Sequence, residues 1–144
     1  MRPYRYDIVG SFLRPAELKE ARKKFNEGAI SREELTLVEN KCIKELVEKE
    51  KSIGLKAVTD GELRRRYWHL DFLADLVGVR EIRADKWSVD FKGLQPKAAM
   101  LEITGRIDFD ENCEFLNHFD HLKKVAGDAD CKMTIPSPSM LHLI

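Results

Sequence analysis

The chain has 144 residues, with 25 Lys and Arg against 25 Asp and Glu, 43% hydrophobic residues and 35% charged ones. That is the composition of one soluble domain, long enough to bury about 68–70% of its unfolded surface if it closes on itself. A net charge of zero gives no long-range field for a polyanion or an anionic membrane surface, so nucleic acid and membrane are excluded as expected partners. No apolar run approaches a membrane span, and the opening MRPYRYDIVGSF lacks a signal peptide's hydrophobic stretch; the expected location is the cytoplasm. Cys42, Cys113 and Cys131, odd in number and without metal-like spacing, read as reduced structural thiols.

In chain order, Tyr6 to Phe12 carries Ile8, Val9 and Phe12 and predicts a short buried strand. Pro15 suits a helix's first turn, and Leu18, Ala21, Arg22 and Phe25 continue the helical spacing to a stop at Gly28. Ser31-Arg32-Glu33-Glu34 is a capping box opening a second helix. Its apolar stripe is Leu35, Val38, Cys42, Leu46, Val47 and Ile53, and its solvent face Glu39, Lys41, Glu45, Glu48 and Lys49. Leu55 to Asp60 is β-prone and breaks at Gly61-Glu62, after which Arg64 to about Leu76 predicts a helix. Between Val79 and Phe109, patches of alternation (Ile82, Trp87, Val89, Phe91; Met100, Leu101, Ile103, Ile107) broken by Gly93 and Pro96 predict an antiparallel hairpin. Helical spacing returns at Phe115, Leu116, Phe119, Leu122 and Val125, ends near Gly127, and gives way to a strand at Cys131 to Ile135.

Strands alternating with helices predict an α/β fold with a parallel sheet, in which function collects at the carboxyl ends of the strands. Those ends are Gly10-Ser11-Phe12, Asp60-Gly61-Glu62 and Pro136-Ser137-Pro138-Ser139. Gly10-Ser11 reads either as a tight turn or as backbone and hydroxyl groups offered to a small polar ligand. Asp60 and Glu62 read either as an acidic cluster answering a helix dipole or as carboxylates for an ammonium group, a proton or a cation. Arg64-Arg65-Arg66 reads as helix-surface pairing more than anion binding, and Tyr67, Trp68 and Trp87 as core more than an aromatic platform. Cys113, His118 and His121 are the one tempting metal group, short of a further ligand. His69 and His142 have no recognisable local partner, and no GxSxG, GxGxxG or GxxxxGK[ST] occurs.

Taken together, DIVGSFLRP (Asp7 to Pro15), ISREEL from Ile30, GLKAVTDGELRR (Gly54 to Arg65) and IPSPSMLH (Ile135 to His142) resemble cobalamin-independent methionine synthase, more closely the short single-barrel relatives of its catalytic half. The resemblance implies a (β/α)8 barrel in which zinc activates homocysteine and a methyl group from 5-methyltetrahydrofolate makes methionine. By position it implies that Gly10 and Ser11 hold homocysteine and that Glu62 binds its amino group. Asp60 falls where the family varies, and Ser137 and Ser139 are implied to line the pocket. The family's zinc ligands, a His and a Cys followed by a Glu and a Cys, come from later strands than these residues reach. A complete barrel has about 250 residues, so residues 1–144 are expected to form the N-terminal part of one catalytic barrel, a partial TIM barrel of about three strand-helix units with a hairpin excursion. On this expectation the chain alone is inactive and binds no zinc of its own. Its partners are homocysteine and a folate methyl donor in the complete barrel, with self-association or a complementary C-terminal half to cover the open strand edges. The alternatives are a nonenzymatic amino-acid-binding remnant and one half of a split, self-associating barrel.

Overall fold

The computed structural model describes residues 4–83 and 99–143. The chain divides into two compact units, Met1–Arg65 with Asn117–Thr134, and Arg66–Leu116 with Ile135–Ile144.

The first unit starts with helix α1 (Ala16–Asn26), with Pro15 as its N-cap. Glu17 in the first turn and Lys23 and Lys24 in the last complement the helix dipole. Helix α2 (Arg32–Ser52) opens on the predicted capping box: Glu34 N donates to Ser31 Oγ at 3.2 Å, and Ser31 N donates to Glu34 Oε2 at 2.7 Å. Strand β1 (Ala57–Val58) follows. After the residues of the second unit, helix α4 (Glu114–Ala126) leads to β4 (Asp130–Cys131). β1 and β4 pair in parallel, Ala57 with Asp130 and Val58 with Cys131. Both strands therefore exit at the same end, and the helix-bearing crossover is what a parallel connection requires. Leu18, Leu35, Ile43, Val47, Val58, Leu63, Leu122 and Ala126 form the core, drawn from both long helices, the strand and α4.

The second unit holds α3 (Leu70–Ala74), β2 (Val77–Arg83), β3 (Ala99–Asp108), the first residues of α4, and α5 (Pro138–Leu143). β2 and β3 are antiparallel, Val79 opposite Ile103 and Ile82 opposite Met100, with a bulge between Val77 and Val79. This is the expected antiparallel excursion; Trp87, Val89, Phe91, Gly93 and Pro96 lie outside the described residues. Leu70, Leu73, Val79, Cys113 and Phe115 are buried, and the Phe72 and Phe115 rings meet edge to face at 5.1 Å.

Five expectations are corrected. Tyr6 to Phe12 is not a strand: Val9 is 85% exposed, and Asp7 and Ile8 are held by the Lys132 ammonium group, at 2.7 Å from each, instead of by a ladder. The helix from Arg64 is instead a turn, with α3 only five residues long: Arg64 turns back to the carboxylate of Glu39 on α2, and Arg65 reaches Thr134 and the nearby carboxylate of Glu62. Trp68 is 55% exposed and so is not core. On α2, Ile53 is exposed while Glu39 is buried, since Arg64 reaches it. Finally, the β4 ladder stops at Cys131, and Ile135 is exposed.

Candidate functional site

The carboxyl end of β1 is shaped by a buried carboxylate that α2 supplies. Glu50 accepts from Thr59 N at 3.1 Å and from Thr59 Oγ1 at 3.2 Å, and Thr59 Oγ1 in turn accepts from Gly61 N at 3.1 Å. Burial pushes the Glu50 carboxyl up from its ordinary value, against the two Thr59 hydrogen bonds. Asp60, also buried, accepts from Glu62 N through Oδ1 at 2.9 Å. Its carboxylate thus closes the turn on which Glu62 stands. Gly61 has φ 63° and Glu62 φ 54°. Two successive residues in the left-handed region form a sharp corner, which a non-glycine residue such as Glu62 adopts only where its surroundings hold it.

Several contacts hold it. Thr134 Oγ1, from the segment leaving β4, donates to Glu62 Oε1 at 2.8 Å. Arg65 Nη1 lies 3.5 Å from the same oxygen, and the Arg65 side chain is itself anchored on the Thr134 hydroxyl at 3.4 Å and on the Thr134 carbonyl. From α1 and the residues before it, Arg14 donates to the Glu62 carbonyl at 3.3 Å, and Arg22 donates to the carbonyls of Leu63 and Arg65. Arg64, only 4% exposed at its side chain, donates to Glu39 Oε2 at 2.9 Å. The arginine run is therefore not a set of surface pairs: Arg64 and Arg65 are buried supports, and only Arg66 is paired at the surface, with Glu81 at 2.6 Å.

The Gly10-Ser11 segment is brought beside this corner by one backbone link, Phe12 N to Gly61 O at 3.0 Å. Gly10 has φ 84°, and Ser11 is exposed. Gly10, Ser11, Asp60 and Glu62 all belong to the first unit. Ser137 and Ser139 belong to the second; they are exposed, and their hydroxyl oxygens lie 2.7 Å apart. Of the supports, Glu39 reads in the sequence as a solvent-face residue, and Glu50 and Thr134 carry no sequence signal that singles them out. A carboxylate on a helix acquires meaning only with its partners.

Zinc, which the resemblance implies, does not fit the residues present. Among the described residues no group of three or more His, Cys, Asp and Glu side chains could hold a metal ion. His118, the centre of the tempting trio, is pushed down to about 4 by burial and by the charges of Arg64, Arg32 and Arg65. The three guanidinium charges near this ring oppose a divalent cation there. The Cys42 thiol is raised to about 11 by burial and by Glu17, and Cys131 is raised chiefly by burial, so neither is a ready thiolate.

The fold and this corner define a mixed α/β domain whose polar groups gather where parallel strands end. Residues 7–101 match the family described as cobalamin-independent synthase, catalytic domain, and the chain belongs to that family. It is 45% identical over 139 residues to the uncharacterized protein YxjG of Bacillus subtilis (strain 168), and 44% identical over 139 residues to YxjH of the same organism. Those alignments cover 96% of this chain and 36% of each relative, so the chain spans about a third of their length. A Listeria monocytogenes crystal structure, described as a candidate vitamin-B12 independent methionine synthase, superposes with a TM-score of 0.78 at 45% identity, covering 97% of this chain and 38% of that one. The B12-independent methionine synthase of Shewanella sp. W3-18-1, solved with selenomethionine, has a TM-score of 0.59 at 18% identity over 79% of this chain and 32% of that one, a likeness of fold.

Proposed function

We propose that the chain supplies the amino-acid-binding corner of a homocysteine methyltransferase, and that methyl transfer from 5-methyltetrahydrofolate is the work of a complete (β/α)8 barrel of which residues 1–144 are the N-terminal part. The observation that carries this reading is the carboxylate of Glu62, held on a left-handed corner at the exit of β1 and beside Gly10-Ser11 in a member of this family. Glu62 takes the ammonium group of homocysteine, a charge-assisted contact. The backbone of Gly10 and the hydroxyl of Ser11 take its polar groups, and Asp60 acts through the turn it closes. Residues 1–144 bind substrate, and thiol activation belongs to the complete barrel. The protein works in the cytoplasm.

The paired strands favour a partner. Among the described residues β1 and β4 pair only with each other, and Val9 and Leu13 are among the most exposed large apolar residues. Covering such edges is the role of a complementary C-terminal half or a second copy of the chain.

The test is calorimetric titration with L-homocysteine and with 4-mercaptobutyrate, which lacks the amino group. Wild type is expected to prefer homocysteine by about tenfold or more, and Glu62→Gln to lose that preference while binding 4-mercaptobutyrate as wild type does. Equal binding of the two ligands by the wild type, or an undiminished preference in Glu62→Gln, contradicts the assignment.

A further inference from the structure

The Glu62 carboxylate does not stand alone at the corner. Thr134 Oγ1 donates to Oε1 at 2.8 Å, and Arg65 Nη1 approaches the same oxygen at 3.5 Å, so both donors converge on one side of the carboxylate. The Thr134 hydroxyl also accepts from Arg65 Nη1 at 3.4 Å, and the Thr134 carbonyl accepts from Arg65 Nη2. Side-chain exposure is 6% for Arg65 and 12% for Glu62, so this pair is fixed in a largely desolvated place. Thr134 leaves β4 three residues after its last ladder position, and Glu62 leaves β1 four residues after its own. Because the two strands are parallel, one hydroxyl ties together two exits at the same end.

We infer that Thr134 is a positioning residue for α-amino-acid recognition: its hydroxyl, backed by Arg65, engages Oε1 of Glu62 and leaves Oε2 for the ligand's ammonium group. This rests on the reading of Glu62 as the ammonium contact and adds the residue that aims it. A carboxylate on a left-handed corner has several rotamers open to it. A short hydrogen bond from a residue on a neighbouring strand exit selects one before the ligand arrives, and this preorganisation lowers the ordering cost of binding. Arg65 is the less informative residue to change, since its guanidinium group also holds the backbone of the β4 exit. Thr134→Val keeps the side-chain shape and the carbonyl that Arg65 uses, and removes only the hydroxyl.

The experiment compares wild type, Thr134→Val and Thr134→Ser in calorimetric titrations with L-homocysteine and 4-mercaptobutyrate. Thr134→Val is expected to bind L-homocysteine about tenfold more weakly, the loss of one hydrogen bond to a charged group, and to bind 4-mercaptobutyrate as wild type does; Thr134→Ser restores homocysteine binding. A general loss of structure would weaken both ligands together, and that result overturns the inference. So does a Thr134→Val protein that keeps the full preference for homocysteine. A wild type that does not discriminate between the ligands overturns the reading of Glu62 itself, and the positioning role falls with it.

Discussion

Glu39 sits on α2 among residues whose spacing assigns them to solvent, yet its side chain is 1% exposed. Arg64 donates to it at 2.9 Å and Arg22 lies 3.9 Å away. A buried ion pair adds little over a well-packed apolar pair, but deleting one partner leaves the other charge stranded. Glu39→Ala is therefore expected to lower unfolding stability by about 3–5 kcal/mol, measured by urea denaturation. A loss under about 1 kcal/mol would mean that water reaches Arg64. The same residue shows why part of the site was hidden in the sequence. A glutamate at a solvent-face position looks solvated until an arginine from 25 residues further along folds back on it. Glu50 was hidden for the same reason, since its meaning lies in Thr59. By contrast, Ser31 and Glu34 were legible, because a capping box closes within four residues and needs no distant partner.

The elements that were legible are those whose determinants are local. α1, α2 and α4 carry their apolar stripes within their own sequence, α2 carries its cap as well, and all three appear close to their predicted bounds. A strand needs a partner, and Tyr6 to Phe12 has apolar residues but no ladder. What joins it to β1 is the link to Gly61, a position with a strict steric demand. Besides its positive φ, a Cβ there would overlap Leu46 Cδ2 and crowd Phe12 Cδ2 at 3.3 Å. Gly61→Ala is expected to cost about 1–3 kcal/mol in thermal unfolding, through backbone strain and displacement of the Phe12 segment. An unchanged melting temperature would show that the corner relaxes freely, and would remove the reason for Glu62's fixed position. That Gly10-Ser11 and Glu62 belong together was legible only from the family resemblance, since no spacing rule places residues 50 apart at one corner.

For the molecule as a whole, two groups shifted by desolvation, half-buried His118 and buried Glu50, set opposite responses to pH. His118 falls from its ordinary 6.5 to about 4, so the folded state holds it neutral; its contribution to stability is present above 6.5 and is lost as pH falls toward 4. Glu50, raised by burial from 4.5, contributes most below 4.5 and loses that contribution as pH rises through its folded value. His118→Leu is expected to flatten the fall in stability between pH 6.5 and 4, followed by urea titration at several pH values. A slope identical to wild type would mean that His118 is solvated and titrates alike in both states.

Recognition of a thiol amino acid's ammonium group by Glu62, as proposed, is tested most directly by the affinity of the wild-type chain for L-homocysteine against 4-mercaptobutyrate, repeated with Glu62→Gln. We expect a preference of about tenfold or more for homocysteine that vanishes in the variant, with 4-mercaptobutyrate bound alike by both proteins. Equal affinities in the wild type, or the same preference in both proteins, would contradict it.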